Sequence, residues 1–346
     1  MKRFYCQCEQ EIFINNAFCE KCGRDLIYDP QAQTMWSGVL TDKGFIAHSK
    51  DQTNHKVQMI LHPCSNRNSA VQCNWSVSCT DGCQCVSCKS TRIVPDQSLP
   101  KNPQRWLILE RAKRQLFTTL LGLNLPIEDF HIKENGLAFD FLEDKRTNPN
   151  VTIEHVLTGH NNGVITINAA EADEGFLHTM KEKMGEPYRT ILGHFRHEVG
   201  HYYWNIVIND DYKLSQFREL FGDERTDYKE ALQRYYNQEK PKFKSSQYIT
   251  PYASSHPHED WAETWAHYLH IVDTLETAVS YGISAYEPKI NDFDDWYSEW
   301  ARVAQTMNAL NRSMGLSDAY PFILTEIVRK KLQFVDYLID GFAHKA

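Results

Sequence analysis

Apolar residues recur at three- and four-residue steps along much of the chain after residue 105, a spacing that gives a helix one buried face. The first such stretch runs from Trp106 to Leu121 and ends near Gly122, where Leu125-Pro126 closes it. From residue 187 onward the same periodicity predicts an almost wholly helical region. The predicted helices span about 187–208, 213–237, 258–281, 293–314 and 321–340.

Other patterns occupy the rest of the chain. Residues 127–175 read as short strands, and residues 164–169 alternate branched apolar with small polar side chains behind the turn signal Asn161-Asn162-Gly163. The first 95 residues are polar and turn-prone, and a proline-containing linker at 90–104 follows them. We therefore predict an α+β fold with a small domain at 1–95 and a mainly helical domain, with a small N-terminal sheet, at 104–346.

Composition narrows the class of protein. Hydrophobic residues make up 42% and charged residues 24% of the 346, which is ordinary for a globular chain and excludes wholesale disorder. The formal net charge of -8 argues against a nucleic-acid surface over the whole chain. No apolar run reaches the roughly 20 residues that span a bilayer, and none follows Lys2 and Arg3 as in a signal peptide. We expect a cytoplasmic protein without a membrane partner.

All ten cysteines fall between Cys6 and Cys88, and such density in a chain without an export signal indicates metal ligation. A bound metal would also replace a hydrophobic core in this polar region. We predict two zinc sites of four thiolates each, which leave no open position and are therefore structural. The predicted ligands are Cys6, Cys8, Cys19 and Cys22 in one site and Cys64, Cys73, Cys85 and Cys88 in the other. Cys79 and Cys83 are left over, and we expect them to be free thiols.

The sequence His197-Glu198-Val199-Gly200-His201 matches the zinc-hydrolase pattern HExxH. On a helix its two histidines lie one turn apart on one face, so both imidazoles can reach a single ion. Glu198 then stands next to the first ligand, where it can act as a general base toward the attacking water.

Glu259 and Glu263 are also four residues apart in a predicted helix. A catalytic zinc commonly takes two His and one Glu, so Glu259 is the predicted third ligand. Glu263, one turn further on, can hydrogen-bond the outer nitrogen of a ligand histidine. Other candidates for the third ligand remain open, namely Asp223, Glu224, Asp227, His256 and His258. His194 lies near the same face and is expected to pack or to face substrate.

These segments resemble the bacterial zinc-binding metallopeptidases that carry an amino-terminal zinc ribbon. The resemblance runs from Phe4 to about Gly282. It rests on TGHNNG at 158–163, GEPYRT at 185–190, GHFRHEVGHYYW at 193–204, FGDER at 221–225 and HPHEDWAETWAHY at 256–268. It implies a zinc ribbon at 1–95 and a zincin-type peptidase domain at 104–346.

The site itself is similar to that of the gluzincins, whose third zinc ligand is a glutamate on a following helix. That similarity implies an edge strand at 164–169 that would hold substrate backbone. It also implies a residue that steadies the oxyanion, for which Tyr252 is the candidate and Tyr248 and His256 are alternatives.

We therefore expect a zinc metallopeptidase that cleaves a peptide or protein substrate. Two alternatives stay open: hydrolysis of an isopeptide or other amide by the same site, and a non-catalytic adaptor whose zinc ribbons bind a partner or nucleic acid while the helical body is a scaffold. Lys2, Arg3, Lys21 and Arg24 surround the first cysteine pairs, which is the observation that favours the adaptor. A nucleic-acid partner is not expected.

Overall fold

The computed structural model describes residues 2–50, 56–79, 82–184, 189–238, 246–288 and 292–343, and these form a chain of mixed helix and sheet. The strands are β1 (Phe4–Tyr5), β2 (Glu11–Ile12), β3 (Asp25–Asp29), β4 (Thr34–Thr41), β5 (Gly44–Lys50), β6 (Lys56–Pro63), β7 (Ser76–Val77), β8 (Thr91–Ile93), β9 (Ala138–Leu142), β10 (Gly159–Asn161) and β11 (Val164–Asn168). The helices are α1 (Val86–Lys89), α2 (Asn102–Gly122), α3 (Glu174–Met184), α4 (Ile191–Val207), α5 (Asp211–Phe221), α6 (Tyr228–Tyr236), α7 (Pro257–Ser280), α8 (Phe293–Ser313) and α9 (Glu326–Ala343).

Contacts within the chain group its residues into two compact units. One holds Lys2–Gly122 and Pro126–His178, and the other holds Leu123–Leu125 and the chain from Thr179 onward. The units are defined by contacts within the chain, and their limits differ from those of the predicted domains. The domain limits 1–95 and 104–346 stay a prediction. Each unit is described by itself below.

The first unit contains a five-stranded antiparallel sheet of β3 to β7, in chain order. Ile27, Phe45 and Ala47 are buried on it and are covered by partly buried apolar side chains, namely Trp36, Leu40, Met59 and Leu61. The prediction that metal replaces the core throughout the first 95 residues is therefore wrong. Successive side chains of a strand point to opposite faces, so one face of this sheet collects enough apolar residues to form a core.

A second sheet in this unit has four strands in the order β10-β11-β9-β8. Strand β11 confirms the strand predicted near residues 164–169, but it pairs with β10 on one side and with β9 on the other. The prediction of an edge strand at 164–169 is therefore wrong. One edge is β10, which the turn at Asn162 and Gly163 folds back antiparallel to β11, and the other edge is β8.

The second unit is mainly helical, and its helices fall close to the predicted ranges. The range 213–237 is an exception, because α5 ends at Phe221 and α6 begins only at Tyr228. Gly222, which follows α5, has a φ of 103° that a helix cannot continue. The start predicted at 187 lies outside the described residues. Helix α7 runs through the middle of this unit and buries residues such as Trp261, Trp265 and Leu269.

A buried ion pair joins α7 to α9. The Lys331 ammonium donates to the Asp260 carboxylate at 2.6 Å and to the carbonyl of Gln247 at 2.7 Å. Both charged side chains are almost completely buried. An unpaired charge in a buried position costs free energy. This contact therefore fixes how α9 packs against α7.

Among the described residues, no helix is both long and apolar enough to cross a bilayer.

Candidate active site

Helix α4 presents the two histidines of the HExxH pattern on one face. Its first turn is capped by Thr190, whose hydroxyl accepts from the backbone N–H of Gly193 at 2.9 Å. His197 and His201 follow one turn apart, and their Nε2 atoms are 3.2 Å apart. Two nitrogen ligands on a tetrahedral zinc would stand about 3.3 Å apart, so this separation suits a shared ion.

Helix α7 brings a carboxylate to the same point. The His256 side chain caps its first turn by accepting from the N–H of His258, and Pro257 follows as the first helical residue. Glu259 Oε2 is then 3.0 Å from His197 Nε2, and Glu259 Oε1 is 3.5 Å from His201 Nε2. The three residues offer ligand atoms that all lie within 4.8 Å of one another.

Close packing of α4 against α7 fixes this geometry. The indole Nε1 of Trp261 donates to the carbonyl of Gly200 at 2.8 Å. A methyl group added at Gly200 would lie 3.0 Å from the Cα of Ala262 and 3.1 Å from the Cβ of Trp265. The glycine inside HExxH therefore allows the close approach of the two helices.

Glu263 fixes the orientation of the first histidine. Its Oε1 lies 2.7 Å from His197 Nδ1, so the ring donates its Nδ1 proton there and Nε2 keeps its lone pair in the neutral form. That lone pair faces the Glu259 carboxylate, and two acceptors in contact require a positive charge between them. In the absence of a metal ion, burial would lower the pKa of His197, but the hydrogen bonds to Glu259 and Glu263 outweigh it and raise the pKa well above its usual value, so that a proton on Nε2 then supplies this charge. The donor set of two imidazole nitrogens and one carboxylate fits zinc.

Two further residues of the predicted site lie close by. Glu198 is buried at 7% exposure, and burial raises the pKa of its carboxyl group. The ring of Tyr252 lies 5.9 Å from the ring of His197, measured between centroids. Burial, together with the charge of Glu259, raises the pKa of Tyr252, so its hydroxyl remains a donor at neutral pH.

The other candidates for the third ligand make different contacts. Asp223 binds Arg225 and Glu224 binds Arg218 through paired hydrogen bonds. Three other candidates serve helix ends or packing: Asp227 caps α6, His256 caps α7, and His258 packs edge-on against Trp204. Among the described residues, the cluster that could hold an ion with both histidines contains Glu259 and none of these.

The cysteines form the two clusters predicted from their spacing. In the first, Cys6 Sγ is 3.5 Å from Cys22 Sγ, and Cys8 Sγ is 3.6 Å from Cys19 Sγ. Sulfur ligands on a tetrahedral zinc would stand about 3.8 Å apart, so both contacts suit a shared ion. The backbone hydrogen bond at Arg24 lowers the pKa of Cys22 to about 6, which favours the thiolate that binds metal.

The second cluster is almost entirely buried. Cys73 Sγ is 3.7 Å from Cys85 Sγ, and the backbone N–H of Cys85 donates to Cys64 Sγ at 3.3 Å. Helix α1 starts at this point, with the Cys85 sulfur accepting from the N–H of Cys88. The short helix thus places two ligands of one cluster on a single turn.

Two family models match the chain and together cover most of it. Residues 3–99 match a zinc-ribbon domain. Residues 102–338 match the model of the family described as "Putative zinc-binding metallo-peptidase". The chain belongs to this metallopeptidase family.

Several relatives extend over the whole length of this family member. It is 37% identical to an uncharacterized protein of Mycobacterium bovis over 358 residues, which cover 99% of this chain and 96% of the relative. Uncharacterized proteins of two Mycobacterium tuberculosis strains match to the same extent. No solved structure matches the chain. The family assignment supports a zinc-dependent peptidase in general terms, and the chemistry has to be argued from the site.

Sequence reasoning missed one residue of the metallopeptidase site. Tyr228, the first residue of α6, donates its hydroxyl proton to Glu259 Oε1 at 2.5 Å. It lies 31 positions before its partner in sequence, so helical spacing gives no signal for the contact. A nearby sequence signal was the FGDER motif at 221–225, which ends three residues before Tyr228.

Cys79 and Cys83 also differ from expectation. The structure joins them in a disulfide, so the prediction of free thiols is wrong. Their Cα atoms are 6.3 Å apart, within the range that a disulfide spans. The carbonyl of Cys83 accepts from the N–H of Ser65, which anchors one end of this loop beside the ligand Cys64.

Proposed function

We propose that the protein is a zinc-dependent peptidase of the gluzincin type, with His197, His201 and Glu259 as the ligands of a catalytic zinc. The observation that carries the proposal is the convergence of three ligand atoms from α4 and α7 on one point. Glu263 supports it, since a carboxylate on the outer nitrogen of a ligand histidine sets the tautomer that metal binding needs.

A zinc ion held there would act as a Lewis acid on the scissile carbonyl and would lower the pKa of a water molecule toward ~7. Glu198 accepts the proton of the attacking water and passes it to the leaving amine. Its raised pKa suits this exchange, because a base whose pKa approaches neutrality can also return the proton. Tyr252 donates its hydroxyl proton to the oxyanion that develops at the carbonyl.

The two cysteine clusters have a different role in this proposal. Four thiolates close the coordination sphere of zinc, so these ions stabilise structure and take no part in hydrolysis. The substrate is a peptide or protein, and the zinc ribbon is the surface through which a partner protein would bind.

The substitution Glu198→Gln tests the mechanism. It keeps the size of the side chain and the three proposed ligands but removes the proton acceptor. We expect the variant to retain its zinc and to lose about 100-fold or more of its peptidase activity. Glu219→Gln is the matched control, because Glu219 is an exposed glutamate on the neighbouring helix α5.

Zinc content by elemental analysis and cleavage of an unstructured protein substrate are the two measurements. Hydrolysis by Glu198→Gln at the rate of the control would remove Glu198 as the general base. A wild-type protein that binds only two zinc ions would remove the catalytic zinc site itself.

A further inference from the structure

The loop between α5 and α6 is held by charged residues that the proposed mechanism does not use. Asp223 accepts from the Arg225 guanidinium at 2.7 and 2.8 Å, and Glu224 accepts from Arg218 at 2.5 and 2.9 Å. These pairs close the turn that Gly222 opens with its positive φ. The loop is therefore fixed in shape before it reaches Tyr228.

The end of this loop is attached to the start of α7. His256 Nε2 donates to the carbonyl of Thr226 at 2.9 Å, and the rings of Tyr228 and His256 meet edge-on with centroids 5.1 Å apart. The Asp227 carboxylate accepts from the N–H of Glu230 at 2.8 Å and thereby starts α6. Tyr228 is thus held against the helical turn that carries Glu259.

The two oxygens of the Glu259 carboxylate have different neighbours. Oε2 faces His197 Nε2 at 3.0 Å, whereas Oε1 lies 3.5 Å from His201 Nε2 and accepts the hydroxyl proton of Tyr228 at 2.5 Å. The carboxylate is almost completely buried at 1% exposure, so the phenol is a partner that water would not easily replace. A neutral donor satisfies Oε1 without adding a positive charge that would compete with a metal ion.

We propose that Tyr228 is a positioning residue for the third zinc ligand. Its hydroxyl holds Oε1 and so fixes the orientation of the carboxylate, with Oε2 toward His197 and Oε1 toward His201. This inference rests on the proposed role of Glu259 as a ligand. It also assigns a purpose to the acidic motif at 221–225, which delivers Tyr228 and does not bind the ion itself.

The test is the zinc affinity of Tyr228→Phe in the full chain. The variant keeps the aromatic ring and its contact with His256 and loses only the hydroxyl group. A chelator of known zinc affinity is titrated into the zinc-loaded protein, and the zinc that remains bound is counted at each step. We expect the most weakly held zinc to bind about 10- to 100-fold more weakly than in the wild type.

Tyr212→Phe is the matched control. Tyr212 is an exposed tyrosine of α5 whose hydroxyl accepts from Gln216 at 3.3 Å, so its loss should leave all zinc affinities unchanged. The two cysteine-bound ions act as an internal reference in both variants. At saturating zinc, Tyr228→Phe should keep an unchanged KM.

Two results would overturn the inference. One is a third zinc held as tightly by Tyr228→Phe as by Tyr212→Phe. The other is an unchanged zinc affinity with a raised KM, which would make Tyr228 a substrate contact. Failure of the proposed function is distinguishable from both, because the wild-type protein would then hold no third zinc at all.

Discussion

The cysteine clusters and the histidine–glutamate site collect their ligands by different means. The first cysteine cluster lies on turns beside β1 and β2, strands of two residues each, and Phe13 and Phe18 near it are largely exposed. The proposed ligands His197, His201 and Glu259 stand on two long helices, where Trp261 and Trp265 are completely buried. In the first region a metal has to supply stability that packing does not, whereas in the second, packing places the ligands before any metal binds.

Removal of zinc should produce the largest difference in stability between the two regions. Structural zinc contributes about 10–16 kcal/mol of binding free energy that is also folding free energy. With excess chelator we expect the turns around Cys6 and Cys19 to open, while α4 and α7 stay folded. Hydrogen exchange measures this, because the N–H groups of Cys6, Cys19 and Gly23 are bonded to Gln10, Arg24 and Cys19 in the metal-binding turns. Equal loss of protection in α7 would contradict the comparison.

Acid should affect the helical region through His267. Burial lowers the pKa of this histidine to about 4, below its ordinary value near 6.5. Between these values the unfolded chain binds a proton that the folded chain does not, so the free energy of unfolding falls as the pH falls. The loss is on the order of 3 kcal/mol by pH 4.

The His267→Gln variant isolates this contribution, since glutamine is polar but does not titrate. Urea unfolding at pH 7 and pH 5 gives, for each protein, the change in the free energy of unfolding with pH. The wild-type protein should lose more stability than the variant over this interval, and parallel losses would exclude His267 as the cause.

A smaller effect should follow from filling the contact between α4 and α7. Gly200→Ala places a methyl group against the backbone of Ala262, and overpacking of this kind costs about 1–3 kcal/mol. Gly341→Ala in α9 is the control, because nothing lies within 4 Å of its added methyl group. That variant should gain about 0.5–1 kcal/mol from the better helix former. Thermal unfolding measures both, and a Gly200→Ala protein as stable as the control would show that the helices can separate.

The parts that were predictable from sequence are those in which ligands are spaced by a regular structure. His197 with His201, and Glu259 with Glu263, are each one helical turn apart, so periodicity alone placed each pair on one face. The spacing of the cysteines likewise predicted both clusters. The role of Tyr228 could not be predicted, because its contact with Glu259 depends on how a loop packs against another helix. Periodicity in the sequence does not indicate such packing.

The sheets were harder to predict from the sequence, because they too depend on contacts between distant segments. The core around Ile27 and Phe45 is made by strands that pair across turns, in a region whose overall composition is polar and rich in cysteine. The position of β11 inside its sheet depends on the three-residue strand β10, which is too short to give a pattern. Pairing order is a property of the assembled sheet and is weakly encoded in any one strand.

The buried contact between Asp260 and Lys331 also sets an order of assembly. The two residues are 71 positions apart, so the acid next to Glu259 leaves the ribosome well before the lysine that neutralises it. Until α9 has been synthesised and docked, α7 carries a carboxyl group that favours contact with water over burial. We therefore expect the turn of α7 that carries Glu259 to reach its buried position only after α9 has docked.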